Sequence, residues 1–522
     1  MDLTALRARL EHRHEDVEGE LGAAWWRLLR DAYAGTGGFR TAIHTTEAQA
    51  ETLGPADYDV DQERLVGPSY LIRYPREHAA AFSRRAKVTT YRNFCQPVVD
   101  EYHGHLWKRP PQRASTLPAV TDWWQDVDGR GTGIDAWMAQ GSRDAALYGW
   151  RAAYLDRPEG EFARGTVATV ARWLEPGELI DWETDDAGEF VWARLYSESE
   201  TRDPFTGEES ERYVYTTWTR DEWERVEMVE RGERYELADA TRQPHSLGRV
   251  PLALLRYADA PGQDIYGQSL VDGIVAASVE HYNLTSELRE WERGQCFGIL
   301  CVQSANSNVL GSIKIGIHGG IAVEPGMGFP AYVSPPTEVG AHLRVRLAEV
   351  KGDIYEMASL ERPGAEIEIS GVSRAYKVEQ MGARLQSFAR RCERFERDLI
   401  ALLAAWDGED PEVWQAATRV EYAARFDAID LQSSLQAHYD ALGTADALVP
   451  ETSRAARLTI GAALNPQATP SERDALAAQV EARYQQDLAA FELRLQTVPE
   501  GTVPAGGETV PTEPATAGQG AP

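Results

Sequence analysis

Residues 374–406 of the chain read RAYKVEQMGARLQSFARRCERFERDLIALLAAW. Apolar residues recur in this stretch at alternating steps of four and three, and they are Met381, Leu385, Phe388, Cys392, Phe395, Leu399, Leu402 and Trp406. Such steps place side chains on one face of an α-helix. Most of the remaining positions are polar and rich in Arg and Glu. The stretch therefore predicts a long one-sided helix that packs along another helix or along a neighbouring subunit.

Two further helices are predicted upstream of this one. The first runs from about Gly267 to Gly294, and the second carries an apolar stripe at the same alternating spacing, formed by Leu343, Leu347, Val350, Ile354 and Met357. A Gly-rich, strand-like stretch at 297–336 separates the two. A short polar loop at 361–371 separates the second helix from the long third one. This order is the most informative feature of the chain.

The rest of the chain divides by composition. Residues 1–60 predict a helix followed by a Gly/Thr-rich loop, and helices are also expected at 75–102, interrupted by Pro97, and at 133–147. Short β-branched and aromatic runs separated by turn residues predict an antiparallel meander within 165–260, with strands near 178–182, 190–196, 213–219 and 250–257. Residues 411–495 predict further helices. The Pro/Gly/Thr-rich end, 497–522, predicts a disordered tail.

Charge and composition restrict the function. The chain has 522 residues with 82 acidic and 53 basic side chains, for a net charge of −29. That balance argues against general DNA coating, which needs Lys and Arg to neutralise phosphates, but it allows a duplex to slide past. Four scattered cysteines fit reduced thiols. Without a long apolar run or a signal peptide, we expect a soluble protein that is made in a cytoplasm.

Motifs for the common catalytic and cofactor sites are missing from the sequence. None of the five lysines follows a glycine, which excludes a Walker loop, and the zincin, dinucleotide-binding and Gly-x-Ser-x-Gly patterns are absent too. His103 and His105 have no third ligand nearby in sequence, and His12 and His14 lie in an acidic helix, so we expect solvated pairs. We predict no catalytic, metal-binding or cofactor-binding residues, and a chain that is not an enzyme.

Several local sequences, in this order, resemble the portal proteins of tailed bacteriophages. They are Tyr91–Phe94 followed by Lys108–Pro110, Glu178–Trp182, Val250–Leu252 with Ile265–Ser269 and Tyr282–Ser286, and Pro330–Pro335 before a helix that ends at Ile354–Ala358. In that family a stem helix leads into an α/β clip, a second stem helix returns, a tunnel loop follows, and a long helix spans the wing. The resemblance extends over about 320 residues and is weak before residue 60 and after residue 407.

The resemblance implies a fold class: α+β, mostly helical, with wing, stem, clip and crown regions. The implied regions are an N-terminal helical and loop segment (1–60), the wing (61–265), the first stem helix (266–295), the clip (296–335), the second stem helix (336–360), the tunnel loop (361–373), the long wing helix (374–406), a crown-like helical region (407–496) and the tail (497–522).

The resemblance also implies site residues. The tunnel loop would carry Glu361, Arg362, Pro363, Gly364, Glu366, Glu368 and Gly371, and its proline and two glycines suit a loop that changes conformation. Candidate contacts to DNA in the channel are Arg344, Arg346 and Lys351, which could instead pair with acids on their own helix, such as Glu349, Asp353 and Glu356. Candidate docking residues of the clip are Lys314, His318, Glu324 and Tyr332.

The implied function is a homo-oligomeric ring, usually of twelve subunits, at one vertex of the capsid of a virion. Double-stranded DNA would pass through it, and its other partners would be the terminase large subunit, a head–tail adaptor, and the major capsid and scaffolding proteins, without any membrane. Three alternatives stay open. They are another connector or tail-hub protein, an acidic carbohydrate hydrolase, suggested by 15 tryptophans and many acids, and a cytosolic scaffold.

Overall fold

The computed structural model describes two compact units, Met1–Asp427 and Ala428–Pro522. The described residues are 3–19, 22–39, 70–75, 77, 82, 85, 86, 88–157, 169–231 without 203, 206 and 208, 234–260, 265–296, 299–301, 331–333, 336–360, 371–423, 426, 450–464 and 470–496. Within them helices hold more residues than strands, and both are present, as expected for an α+β chain.

The elements of the first unit are as follows. The helices are α1 (Leu3–Leu10), α2 (Glu15–Glu18), α3 (Ala23–Ala34), α4 (Cys95–Leu106), α5 (Pro118–Gln125), α6 (Ile134–Tyr148), α7 (Asp272–Cys296), α8 (Thr337–Met357), α9 (Gly371–Asp407) and α10 (Pro411–Ala416), with a short 3₁₀ turn at Gly37–Phe39. The strands are β1 (Gln112–Ser115), β2 (Trp150–Asp156), β3 (Val170–Trp173), β4 (Leu179–Thr184), β5 (Phe190–Arg202), β6 (Glu209–Thr219), β7 (Glu222–Arg231), β8 (Arg234–Pro244), β9 (Leu252–Arg256), β10 (Ile299–Cys301), β11 (Ala331–Val333) and β12 (Thr418–Glu421).

The predicted meander is confirmed for its first three strands, which lie in a five-stranded antiparallel sheet in the order β4-β5-β6-β7-β8. The strand predicted near 250–257 is β9, which belongs instead to a second sheet, where it pairs with β2. The sequence analysis missed β7 and β8, because Glu and Arg occupy positions on both sides of these strands and hide the alternation. Val226 and Met228 of β7 nevertheless point the same way and are buried. They pack with Leu6 and Leu10 of α1, which therefore covers this face of the sheet.

The apolar stripe of α9 is buried as predicted, and the helix packs against other helices, as expected, and also against a sheet, which was not expected. Met381, Leu385, Phe388, Cys392, Phe395, Leu399 and Leu402 are all buried, and Trp406 is half-buried. Apart from the adjacent α10, α9 packs mainly against β9 of the second sheet, ordered β3-β2-β9, and against α4, with smaller contacts to β12 and β2. The ring of Phe388 lies 4.9 Å from that of Tyr257, and the ring of Phe395 lies 5.1 Å from that of Trp173. A helix on a sheet satisfies the same stripe as a second helix.

A buried ion pair ties α9 to the neighbouring strands β1 and β12. Arg113 of β1 donates two hydrogen bonds to Glu396, at 2.6 and 2.7 Å, and Tyr422 donates a third to the same carboxylate at 2.6 Å. Asp135 also accepts from Arg113. Burial would lower the pKa of Arg113, but its bonds to Glu396 raise it well above the ordinary value. The charge pair is therefore fully hydrogen-bonded, as a buried pair must be.

Two helix predictions need correction. The helix expected at 75–102 is interrupted at Thr89–Phe94, and Pro97 lies in the first turn of α4, where its missing N–H has no partner to lose. The helical prediction for 411–495 overlooked β12, which pairs antiparallel with β1. Four residues are too few for a period to separate a strand from a helix, and the partner of β12 lies about 300 residues away.

The second unit contains two described helices, α11 (Pro450–Leu464) and α12 (Pro470–Gln496). They pack side by side through Ala456, Ile460 and Val480. Arg454 pairs with Glu481 at 2.7 Å, and Arg457 pairs with Asp487 at 2.6 Å. The predicted tail, 497–522, lies outside the described residues. The names wing, stem, clip and crown stay predictions.

We expect Glu396→Ala to destabilise the first unit by about 3 to 5 kcal/mol, because the substitution leaves the buried guanidinium of Arg113 without its main partner. The control is Arg419→Ala, since the pair between Arg419 and Glu421 is exposed and such pairs contribute about 0 to 1 kcal/mol. Urea unfolding followed by near-ultraviolet circular dichroism measures both changes. Equal changes for the two variants would contradict the role given to the network.

Candidate functional site

Helices α7 and α8 form an antiparallel hairpin, which we call the stem hairpin. Contacts run along its length: Met357 faces Gly273 at one end, Arg346 pairs with Glu280 in the middle, and Trp291 meets Gly340 at the other end. The two strands β10 and β11 pair antiparallel beyond that last contact. The hairpin therefore leaves the body as one helix, ends in a small sheet and returns as the second helix.

At the far end of the stem hairpin the indole ring of Trp291 packs on Gly340. A methyl group built on Gly340 would lie 2.3 Å from the ring of Trp291, so only glycine lets the two helices approach this closely. The indole N–H of Trp291 donates to the carbonyl oxygen of Pro336 at 2.9 Å. The guanidinium of Arg344 lies 5.7 Å from the same ring. Together these contacts set the spacing between the helices.

The arginines predicted to contact DNA are paired with acids of the stem hairpin. Arg344 reaches Glu292 at 3.0 Å, and Arg346 reaches Glu280 at 2.8 Å and Glu349 at 3.4 Å. The hydrogen bonds that Arg346 donates to Glu280 raise the pKa of Arg346. Both arginines therefore link α8 to α7, a cross-helix pairing that the sequence analysis did not foresee. The third candidate, Lys351, is half-buried. It lies near His281, whose pKa is lowered mainly by burial and further by the positive charges of Arg92 and Lys351.

The base of the stem hairpin is anchored to α4 and α9. Tyr102 donates to the carbonyl oxygen of Ala358 at 2.9 Å, and Arg384 donates to that of Met357 at 3.3 Å. Ser359 follows with a φ of 55°, a left-handed conformation that usually requires glycine. Its N–H and that of Leu360 close the last turn of α8 on the carbonyls of Glu356 and Tyr355. The segment predicted to be the tunnel loop begins directly after this capped end.

The face of α8 that points away from α7 divides into two stripes. At 100° per residue, Ala341, Val345, Ala348 and Gly352 share one side of this face, and we call them the apolar stripe. Glu338, Glu349, Asp353 and Glu356 share the adjacent side, and we call them the acidic stripe. All of them are exposed except the half-exposed Gly352, and the side chain of Val345 is 57% exposed. Val345 is the largest side chain of the apolar stripe, and the other three residues are Ala or Gly.

Most of the other predicted site residues lie outside the described part of the chain. These are Lys314, His318 and Glu324 of the predicted clip and Glu361, Arg362, Pro363, Gly364, Glu366 and Glu368 of the predicted tunnel loop. Tyr332 lies in β11, where its backbone pairs with Leu300. Gly371 is the first residue of α9, so the helix begins three residues before the predicted boundary at 374.

A cavity lies in the first unit, between α9, β9 and the turn that precedes β5. This cavity of about 210 Å³, which we call the arginine pocket, is lined by the charged residues Glu189, Arg249, Arg256, Asp259, Arg391, Arg394 and Asp398. Arg391 binds Asp259 with two hydrogen bonds of 2.8 and 2.7 Å. Burial raises the pKa of Asp398 to about 6, despite the opposing effect of Arg249.

The described residues give little support to metal or sugar chemistry. No group of three His, Cys, Asp or Glu among them could hold a metal ion, and no helix among them is long and apolar enough to cross a membrane. The hydrolase alternative requires a carboxyl of raised pKa in a cleft, and Asp398 meets that requirement. The aromatic lining of its pocket, Phe190 and Phe395, is buried, however, and offers no exposed platform for a sugar ring.

Sequence reasoning missed the contact between Trp291 and Gly340 and the whole arginine pocket. A glycine inside the helical pattern of 337–357 was the available signal for the first, because such a glycine often marks close packing. The pocket had no signal. Its residues come from three separate parts of the chain, around 189, 249–259 and 391–398, and only the tertiary structure brings them together.

Comparisons with known proteins give a weak structural likeness. No family model matches the chain, and no curated protein matches it. Among solved structures, the chain is similar to the neck of a native GTA (gene transfer agent) particle computed with C12 symmetry, at 13% identity and a TM-score of 0.34, over 70% of this chain and 88% of that one. The neck of an empty GTA particle computed with C6 symmetry matches at 14% identity, with the same TM-score and coverage. At that TM-score a shared fold is not established, and the portal resemblance stays a prediction.

Two glycine substitutions within α8 are expected to have opposite effects. Gly340→Ala should destabilise the first unit by about 1 to 3 kcal/mol, because the new methyl group overlaps the ring of Trp291. Gly352→Ala should stabilise it by about 0.5 to 1 kcal/mol, because nothing lies within 4 Å of the new methyl group and alanine favours the helix. Urea unfolding of both variants measures the difference. Changes of the same sign would refute the packing described for Trp291.

The pKa of Asp398 predicts how stability depends on pH. The folded value, about 6, is above the ordinary value of 3.8, so its contribution to stability is full below the ordinary pKa and is lost as the pH rises through about 6. We expect Asp398→Asn to stabilise the first unit by about 1 to 3 kcal/mol at about pH 7.5, and the gain to shrink as the pH is lowered from about 6 to about 4. The control is Glu409→Gln, an exposed acid. A gain that does not change with pH would contradict the assignment.

Proposed function

We propose that this chain is a subunit of a portal-type ring, in which the stem hairpin stands beside an axial channel for double-stranded DNA. The observation that carries the proposal is the exposed face of α8, on which the apolar stripe lies next to the acidic stripe. A ring subunit needs a contact surface toward each of its two neighbours and a different surface for the channel, and the outer face of α8 offers one contact surface and one channel surface side by side.

The apolar stripe supports contact with a neighbouring copy. Ala341, Val345, Ala348 and Gly352 follow one another at steps of four, three and four, which is the spacing of a helix–helix seam. Their small side chains allow a close approach of a second helix. In a closed ring every subunit uses the same pair of surfaces, so a modest patch is repeated at each interface.

The acidic stripe supports a channel wall that does not bind DNA tightly. Duplex DNA carries one charge about every 1.7 Å, so a wall of carboxylates repels it and prevents adhesion. The pairing of Arg344 with Glu292 and of Arg346 with Glu280 fits this role, since it leaves the basic groups of α8 partly neutralised. These arginines could contact a phosphate of DNA directly only if the phosphate displaced Glu280 or Glu292 from them.

The remaining parts of the proposal follow from the resemblance to portal proteins. The sheet of β10 and β11 would belong to a clip that docks a terminase large subunit and a head–tail adaptor. The segment after Ser359 would form a tunnel loop, about twelve copies would make the ring, and capsid and scaffolding proteins would surround it in the virion. ATP hydrolysis would belong to the terminase. The two-stranded end of the stem hairpin and the capped end of α8 support these positions.

The test compares ring assembly of the wild-type chain with two variants, by native mass spectrometry and negative-stain electron microscopy. Val345→Glu places a charge in the apolar stripe, and Val413→Glu places the same charge at a valine of α10 with nearly equal exposure, 58% against 57%. We expect rings of about a dozen subunits for the wild type and for Val413→Glu. We expect Val345→Glu to remain monomeric with an unchanged circular dichroism spectrum.

Two outcomes would count against the proposal. A wild-type chain that stays monomeric at every accessible concentration, with or without a scaffolding protein, would contradict the ring. Rings of Val345→Glu as abundant as those of the wild type would contradict the apolar stripe as the contact surface.

A further inference from the structure

The arginine pocket combines an excess of positive charge with a carboxyl group that has no close partner. Four guanidinium groups face three carboxyl groups in a chain whose net charge is −29. Arg391 is engaged with Asp259, and Arg256 donates to the carbonyl oxygen of Ile265 at 3.0 Å. These two arginines are therefore held in place by the protein itself.

The other two arginines are available to a ligand. Arg249 approaches Glu189 only to 3.6 Å, which is too long for a hydrogen bond. Among the described residues, neither Arg394 nor Asp398 has a hydrogen bond or an ion pair. Two guanidinium groups and one carboxyl thus line a cavity of about 210 Å³ close enough to attract one another, but without a hydrogen bond between them. Asp398 is half-buried and has no hydrogen-bond partner among the described residues, and a group in that situation favours a site that a ligand completes.

We propose that the arginine pocket binds an oxoanion of the phosphate or sulfate class between Arg249 and Arg394, with the carboxyl group of Asp398 as the hydrogen-bond donor. Guanidinium groups chelate the oxygens of such anions in pairs. A neutral carboxyl donates one further bond, whereas an ionised one would repel the ligand. Binding therefore takes up one proton from solvent at Asp398.

The groups that face Asp398 agree with this assignment. Arg249 and Glu189 approach it from the segments before β9 and β5, Arg256 and Asp259 line the pocket from β9 and its end, and Arg391 and Arg394 line it from α9. A neighbouring pair, Arg220 with Asp185 at 2.6 Å, is satisfied and lies in the adjoining cavity. A cationic ligand would meet four arginines against three carboxyl groups, so the charge balance favours an anion over an amine or a metal ion.

This site is independent of the proposed ring, because its residues lie on α9, on β9 and on the segments before β5 and β9, away from the stem hairpin. Two sources of the same chemistry are possible, a small phosphate free in solution and a phosphodiester of DNA. Inorganic sulfate distinguishes the pH response of the protein from that of the ligand, since sulfate keeps its charge across the neutral range.

The experiment is isothermal titration calorimetry of the full chain with sodium sulfate, at about pH 5.5 and about pH 7.5. We expect the wild type to bind about tenfold more tightly at the lower pH, because a larger fraction of Asp398 carries its proton there. Asp398→Asn, a permanent neutral donor, should bind equally at both pH values and more tightly than the wild type at about pH 7.5. Arg394→Gln should lose about tenfold in affinity. Arg397→Gln, on the same helix but outside the pocket, should match the wild type.

A short DNA duplex is then added as a competitor. Displacement of sulfate by the duplex assigns the site to a DNA phosphate, and displacement by inorganic phosphate alone assigns it to a small anion. The proposal is overturned if sulfate does not bind, if Arg397→Gln weakens binding as much as Arg394→Gln, or if Asp398→Asn keeps the pH dependence of the wild type.

Discussion

The packing of α9 on the central strands is the interaction on which the rest of the structure depends. One face of this helix of 37 residues buries its apolar stripe against β9 and α4, and the same helix holds the buried bond between Glu396 and Arg113. Through Arg384 it also binds the end of α8. The end of α8 is thus tied to α9, whereas the start of α7 packs against α3 and α4, and these contacts together hold the base of the stem hairpin.

One side of α9 packs in the core, and the edge of that contact carries charged side chains. The side chains of the apolar stripe meet the sheet, while Arg391, Arg394 and Asp398 lie at the edge of the contact and line the arginine pocket. Burial there is strong enough to raise the pKa of Asp398 to about 6. A carboxyl that titrates near physiological pH on the longest described helix links the ionisation of the pocket to the packing of the body.

The sequence allowed the helices to be predicted better than their partners. The steps of four and three at 381–406 and 343–357 predicted α9 and α8, because a helix imposes its period on a long stretch. They did not show that the stripe of α9 packs on a sheet, since the same stripe suits either partner. Charged residues on both faces hid β7 and β8, and the pairing of β1 with β12 joins segments too distant in sequence for any local pattern to reveal.

The candidate site was predictable only in part. Arg344 and Arg346 were identified from their position on the second helix, but Glu280 and Glu292, which pair with them, became visible only when α7 and α8 were brought together. Gly340 carried a local signal, and Trp291 did not. The stripes on the outer face of α8 follow from helical geometry once the buried face is known, because the contact with α7 determines which side remains exposed.

The most direct test of the central claim is a cryo-electron microscopy reconstruction of the assembled chain, with the orientation of α8 as the measured quantity. The account predicts a closed ring in which Glu338, Glu349, Asp353 and Glu356 face the axial channel and Val345 contacts the neighbouring subunit. A ring with α8 on its outer circumference, or an assembly without an axial channel, would contradict it.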